Sequence, residues 1–253
     1  MIISSWNVNG LRAVAKKTFF PWVNEFQPDI LCLQETKLQQ DQLSQDLINM
    51  TGYTSYFSFA EKKGYSGTAV YSKIPPDDYK VNHFPVTPAG EGRIIELQFS
   101  SFILYNVYFP NGQMNETRLQ AKLQFYDEFY QYFHTWQKKG KSILITGDFN
   151  TAHQPIDLAE PEKHRHTSGF LDIEREKIDF YLQQDLVDVF RYLNPHQVAY
   201  TNWSNFANSR VRNLGWRIDY FLASSSLLSM VQKAPIHSNV MGSDHCPCSV
   251  ILQ

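Results

Sequence analysis

Asn7, Glu35, Asp148, Asn150, Asp219, Asp244 and His245 all sit beside short apolar runs. They lie in Trp6-Asn7-Val8-Asn9-Gly10, Leu33-Gln34-Glu35-Thr36-Lys37, Gly147-Asp148-Phe149-Asn150, Arg217-Ile218-Asp219-Tyr220 and Gly242-Ser243-Asp244-His245. Tyr108-Phe109-Pro110-Asn111-Gly112 has the same character. Acids and amides at the ends of apolar segments are costly to bury unless something binds there. If the runs are strands sharing one sheet direction, their ends converge on one rim. Carboxylates and amides gathered there make a hard, oxygen-rich cavity suited to Mg²⁺ or Mn²⁺.

Each segment also has an ordinary reading. Glu35 can be a capping acid or a solvated strand end. An Asx turn explains Gly147 and Asp148, but not a second amide at Asn150. Ser243-Asp244-His245 can be a turn before a last strand. Cys246 and Cys248 beside His245 suggest zinc, but no fourth ligand is spaced for it. His153, His164 and His166 read as a solvated loop, and Lys138, Lys139 and Lys141 as a favourable helix C-terminus.

The elements that must position these residues are short and β-rich. Strands are expected at Met1–Trp6, Ile30–Gln34, Tyr53–Phe59, Thr68–Tyr71, Ile94–Phe99, Phe102–Phe109, Ile143–Thr146, Ile218–Leu222 and Ser249–Leu252. Helices are expected at Asp41–Met50 and Glu116–Lys138, with weaker patterns at Phe19–Phe26 and Glu174–Gln184. The long helix carries Leu119, Leu123, Tyr126, Tyr130 and Phe133 on one stripe. Strands interleaved with few helices predict mixed sheets with helices outside.

The chain has 253 residues and a net charge of −2. With 43% hydrophobic and 19% charged residues it is not a disordered chain. No apolar run is long enough to span a membrane. No signal peptide is expected, because no charged segment precedes an apolar stretch at the N-terminus. Three sparse cysteines fit a reducing compartment. No linker, repeat or charge block divides the chain, so residues 1–253 are expected to form one domain. A pI near 6.4 by itself leans against a polyanion partner.

These motifs occur in order with Gly64-Tyr65-Ser66-Gly67, Gly92-Arg93, Asn106-Val107-Tyr108-Phe109-Pro110-Asn111-Gly112 and Asn213-Leu214-Gly215-Trp216-Arg217-Ile218-Asp219-Tyr220. Together they resemble the exonuclease III family of apurinic/apyrimidinic (AP) endonucleases, from residue 2 to about residue 252. The resemblance implies an α/β, four-layer sandwich: two packed mixed β-sheets flanked by helices, as in DNase I-like phosphoesterases. It implies a Mg²⁺-dependent DNA repair phosphodiesterase, with Mn²⁺ as a possible substitute. The substrate would be duplex DNA, cut 5′ to abasic sites or degraded from 3′ ends. A cytoplasmic monomer with no membrane partner is expected.

The same resemblance assigns residues. Glu35, with Asn7 nearby, would hold the metal, and Asp244, Asp148, Asn150 and His245 are implicated in it too. Asp148 would activate water with Asn150 orienting it, or else donate a proton to the leaving group; the sequence leaves both open. His245 and Tyr108 would contact the phosphate, and Asp219 would orient His245. Lys37, Tyr65, Arg93, Asn111, Arg118, Arg210, Arg212 and Arg217 fall at or near the DNA. Trp216 and Ile218 would wall the pocket for a flipped abasic sugar. On this reading the net charge averages an acidic centre with basic loops at Lys62-Lys63, Lys163–Arg165 and Arg210–Arg217.

Two departures bear on specificity. Tyr200-Thr201-Asn202-Trp203 has Asn202 where an aromatic is usual in strong AP endonucleases. The loop Pro161–Phe170 carries Lys163-His164 and Thr167 in place of smaller residues. Both put the balance of endonuclease and exonuclease in doubt. Two rival functions have less support. A phosphoinositide or sphingomyelin phosphoesterase is disfavoured by Arg93 and the Trp216–Asp219 run. An inactive DNA-damage binding protein would require a loss among Glu35, Asp148, Asn150, Asp219 and His245, and all five are retained.

Overall fold

The computed structural model describes all 253 residues. Two six-stranded mixed sheets pack face to face. The first runs, edge to edge, Val231–Lys233, Cys248–Leu252, Ile2–Asn7, Ile30–Gln34, Thr68–Ser72 and Thr54–Ser58. The second runs Asp78–Val81, Ile94–Gln98, Ile103–Tyr108, Ile143–Asp148, Asp219–Ser224 and Leu186–Asp188.

Period-two alternation builds the layers. Ile30 and Cys32 face the inter-sheet core with Leu104, Leu144, Phe221 and Val250. Leu31 and Leu33 face outward onto Trp6, Phe19 and Val23. Ile143 and Ile145 likewise meet Phe125, Phe129 and Phe133 of the helix Glu116–Gln137. Strands buried on both faces need continuous apolar runs, which is why they were legible. The helix–sheet–sheet–helix order is the expected four-layer sandwich.

Each sheet contains one parallel pair: Ile2–Asn7 with Ile30–Gln34, and Ile103–Tyr108 with Ile143–Asp148. Parallel neighbours need a crossover. Phe19–Phe26 lies in the first and Glu116–Gln137 in the second. Asn115 caps the long helix by accepting from the Arg118 N–H at 3.0 Å.

Several expectations change. Asp41–Met50 is not one helix: a 3₁₀ turn at Gln40–Gln42 and a short helix at Gln45–Ile48 flank an extended Leu43. Leu47 and Met50 are buried all the same, so helical spacing reported the buried face but not the backbone. The long helix buries Leu123, Tyr126, Tyr130 and Phe133 of the expected stripe, leaves Leu119 half-buried, and adds Phe125 and Phe129. The strands Asp78–Val81, Leu186–Asp188 and Val231–Lys233 were not foreseen. All are short edge strands, and an edge needs only one partner and little apolar pattern.

Candidate active site

The two parallel pairs end at one rim. Asn7 pairs with Gln34, and Tyr108 with Asp148, at their C-terminal ends. Asp219 reaches the rim from the other direction, as the first residue of an antiparallel strand registered on Asp148. Asp244 and His245 likewise precede the strand Cys248–Leu252, which is antiparallel to Ile2–Asn7. The expectation that polar residues follow strands therefore holds for half the site. The other half comes from strand starts, because an antiparallel strand begins where its neighbour ends.

Gly147 lets Asp148 reach the site. Its φ is +139°, and a Cβ there would lie 1.9 Å from the Val107 carbonyl oxygen. Only glycine permits that approach. Asn9, Glu35, Lys37 and Asn150 all hold left-handed backbone around the rim. Such conformations are sparsely populated for residues with a Cβ and concentrate at functional sites.

Asp148 is buried and densely bonded. Its carboxylate accepts from the Asn7 Nδ2 at 2.8 Å, the Asn150 N–H at 2.8 Å and the Asn150 Nδ2 at 3.3 Å. Burial pushes its carboxyl up to about 7, against the opposing pull of His245. His245 Nε2 lies 3.9 Å from Asp148, and Nδ1 is 2.8 Å from Asp219. Burial alone would lower the His245 affinity for its proton. The Asp219 charge and hydrogen bond outweigh it and raise the imidazole to about 10. Tyr108 stays a neutral phenol well past its ordinary range, because it is buried and near Glu35 and Asp148. The Arg93 guanidinium lies 4.8 Å from the Tyr108 ring centre and donates to its carbonyl.

These shifts predict the pH dependence of metal-free stability. His245 binds its proton more tightly folded than unfolded. Its contribution is complete below about pH 6.5 and is lost as pH rises towards 10. Asp148 has the same sign in a lower window, losing stability between about 4 and 7. In EDTA, the thermal midpoint should therefore fall by at least about 4 °C from pH 6.5 to 10. Asp219→Asn should flatten that slope; an unchanged slope would remove the pair as its cause.

The donor set fits a hard divalent ion. Glu35 presents a partly exposed carboxylate, which accepts from Lys37 Nζ at 3.0 Å and Asn7 Nδ2 at 3.1 Å. Asp244 accepts from Asn9 Nδ2 at 2.9 Å. Ligand atoms of Asp148, Asp219 and His245 also lie within 4.8 Å of one another. Oxygen donors of this kind suit Mg²⁺ or Mn²⁺. Asn7 links two of these carboxylates. The Asn7 side-chain Oδ1 accepts from the Asn9 N–H, and its Nδ2 donates to both Glu35 and Asp148, bridging them.

A cleft of about 370 Å³ opens over these groups, lined by Glu35, Tyr108, Asn111, Asp148, Asn150, Trp216, Ile218, Asp244 and His245 among others. Asn111 Nδ2 donates to Asn150 Oδ1 at 3.1 Å. Beside the cleft, the Tyr65 hydroxyl accepts from Arg93 at 3.1 Å and Arg118 at 2.9 Å. Arg212 is exposed.

Arg217 is a correction. It was expected at the DNA, but it is 1% exposed and paired with Asp157 at 2.8 Å and Asp188 at 2.7 Å. It braces the wall carrying Trp216 and Ile218 from behind. Arg210 also faces inward: its guanidinium donates to the carbonyls of Ser238, Val240 and Ser243 and lies over Trp203. Two basic-loop residues have acidic neighbours, Lys163 with Glu160 and Arg165 with Glu162.

Of the two departures, Asn202 lines the cleft, and its strand pairs with that of Trp216. His164 sets its ring edge-on to Trp216, 4.9 Å between centres. Asn9, Gln113, Lys122 and Glu174 were missed. For Lys122 a signal existed: a charged residue beside Leu123 on the core face of the long helix.

The profile of the Endonuclease/Exonuclease/phosphatase family matches residues 4–245. The chain belongs to this family. The exodeoxyribonuclease of Bacillus subtilis (strain 168) is 42% identical over 254 residues, covering 100% of this chain and 99% of that protein. The DNA repair nuclease APEX1 of Danio rerio is 40% identical, covering 100% of this chain and 82% of that protein. Among solved structures, a 3′-5′ exonuclease from Neisseria meningitidis superposes with a TM-score of 0.92 at 27% identity, over 100% of both chains. An AP endonuclease from Archaeoglobus fulgidus gives 0.90 at 28%, over 100% of this chain and 99% of that one. Members of this family are divalent-metal-dependent hydrolases. No helix of this member is long and apolar enough to cross a membrane.

Proposed function

We propose that this protein is a Mg²⁺-dependent DNA repair phosphodiesterase. It acts on duplex DNA at abasic sites and at 3′ ends, with Mn²⁺ as a possible substitute. The observation that carries the reading is one polar cleft holding Glu35, Asp148, Asn150 and the Asp219–His245 pair, in a chain alignable end to end with an exodeoxyribonuclease. We read residues 1–253 as one catalytic domain, supported by the core both sheets share. A cytoplasmic monomer is part of the same reading, supported by three free, buried cysteines.

Glu35 and Asp244 would hold the metal, with Asp148 and Asn150 beside it. An ion held by these residues would supply polarisation of the phosphate and charge stabilisation for the departing oxyanion. Protonated His245 and the neutral phenol of Tyr108 donate to phosphate oxygens. Asp219 fixes the imidazole's tautomer and charge. Asp148 takes the proton of the attacking water, with its orientation set by Asn7 and Asn150. A second assignment, Asp148 as proton donor to the leaving oxygen, is favoured by its carboxyl being pushed up to about 7. A base makes the rate rise through that pH, and an acid makes it fall. Lys37, Tyr65, Asn111, Arg118 and Arg212 would position the duplex; Arg93, expected there too, is buried and paired with Glu91, and holds Tyr65 and Tyr108 from behind.

The test uses Mg²⁺ and two labelled duplexes, one with a central abasic-site analogue and one with an undamaged recessed 3′ end. Incision 5′ to the abasic site is expected. Cleavage of neither duplex would reject the proposal. Cleavage of the recessed end alone would mean that the Asn202 and His164 side of the pocket excludes the abasic sugar. His164→Gly or Asn202→Phe should then restore incision, and failure of both would reject that pocket account.

A further inference from the structure

Lys122 and Glu174 form an ion pair with both side chains 0% exposed. Such a pair is a poor source of stability, because the cost of removing two charges from water rivals their attraction. Its contacts point to another role. Lys122 Nζ also donates to the main-chain oxygen of Asn150 at 2.7 Å. Glu174 accepts from the Gly169 N–H at 2.5 Å and from Ser168 Oγ at 2.9 Å. Asn150 touches Asp148, whereas Ser168 and Gly169 belong to a separate loop that also lines the cleft. Gly169 is held between them: a Cβ there would lie 3.1 Å from the Trp216 ring and 3.3 Å from the Asn150 oxygen.

We propose that the Lys122–Glu174 pair positions Asn150 and the Ser168–Gly169 wall relative to each other, so that the water-activating group and the sugar pocket face one substrate. The proposal rests on the nuclease reading above. Neither residue touches substrate; both act through Asn150 and Gly169. Each single ammonium or carboxylate is satisfied only by its partner and the two loops, so the geometry is fixed as a unit. Displacing reacting groups by about 1 Å can cost on the order of 100-fold in rate.

The experiment compares wild type, Lys122→Met, Glu174→Gln and the double variant Lys122→Met/Glu174→Leu on both duplexes. The two single variants should melt lower, each leaving one buried group unpaired. The double variant leaves no ion unpaired and should recover part of the lost thermal midpoint, the Gly169 N–H and the Asn150 oxygen still lacking their partners. Its kcat should nevertheless stay roughly 10- to 100-fold low, with KM for duplex within about 3-fold of wild type. A pair that only stabilised the fold would return kcat along with the midpoint, and that result overturns the proposal. If the double variant does not fold, Glu174→Gln decides: it keeps the volume and one acceptor, and a wild-type kcat there also overturns the proposal. A wild-type protein inert on both duplexes would overturn the nuclease reading first, and the positioning role with it.

Discussion

Asp148→Asn should lower the cleavage rate by roughly 10²- to 10⁴-fold while leaving a folded protein. The carboxylate sits where water would be activated, and an amide of the same shape cannot take a proton. The stability effect is a balance. The new amide nitrogen meets donors from Asn7 and Asn150, a loss of about 1–3 kcal/mol. Against this, a buried charge that already resists ionisation is removed. The thermal midpoint should therefore move little, by no more than about 10 °C. Single-turnover cleavage of the abasic duplex, with the midpoint measured alongside, checks both. Retention of more than a tenth of the wild-type rate would remove Asp148 from the proton-transfer role.

Stripping divalent ions with EDTA should abolish cleavage of both duplexes, and added Mg²⁺ should restore it. The fold should survive, because three cores close without any metal in them. Glu35→Gln should raise the Mg²⁺ concentration needed for half-maximal rate by more than about 10-fold. The side chain keeps its volume and its bond to Asn7 but loses the charge that holds the cation. Calorimetric Mg²⁺ binding supplies a readout independent of catalysis. Lys37→Met should change it in the opposite sense, since Lys37 now shares the Glu35 carboxylate. Full activity in EDTA, or unaltered Mg²⁺ binding by Glu35→Gln, would contradict the metal assignment.

Much of the frame was legible because burial leaves a period. Ile30–Gln34 and Ile143–Asp148 are buried along their whole length, and apolar runs of that length have few other homes. The long helix announced itself through a stripe that the core then covered. Of the four edge strands only Thr54–Ser58 was legible, since one-sided pairing asks little of side chains. Nor was the break at Leu43, where helical spacing and an extended backbone bury similar faces.

The chemical identity of the centre was a property of the residues alone. Carboxylates, amides and one histidine beside apolar runs already pointed to a hard-cation site, because side-chain chemistry does not depend on the fold; phosphate handling came only with the resemblance the ordered motifs carry. Which atoms meet did depend on it. Registry across antiparallel strands put Asp219 opposite Asp148, and packing of the two sheets brought His245 to both, from positions 71 and 97 residues away in sequence. Tertiary burial, invisible in a list of charges, took Arg217 from the surface to an ion network and brought Lys122 under Asn150. A charge's role is set by whether water or a partner surrounds it, and that is decided only when distant segments pack.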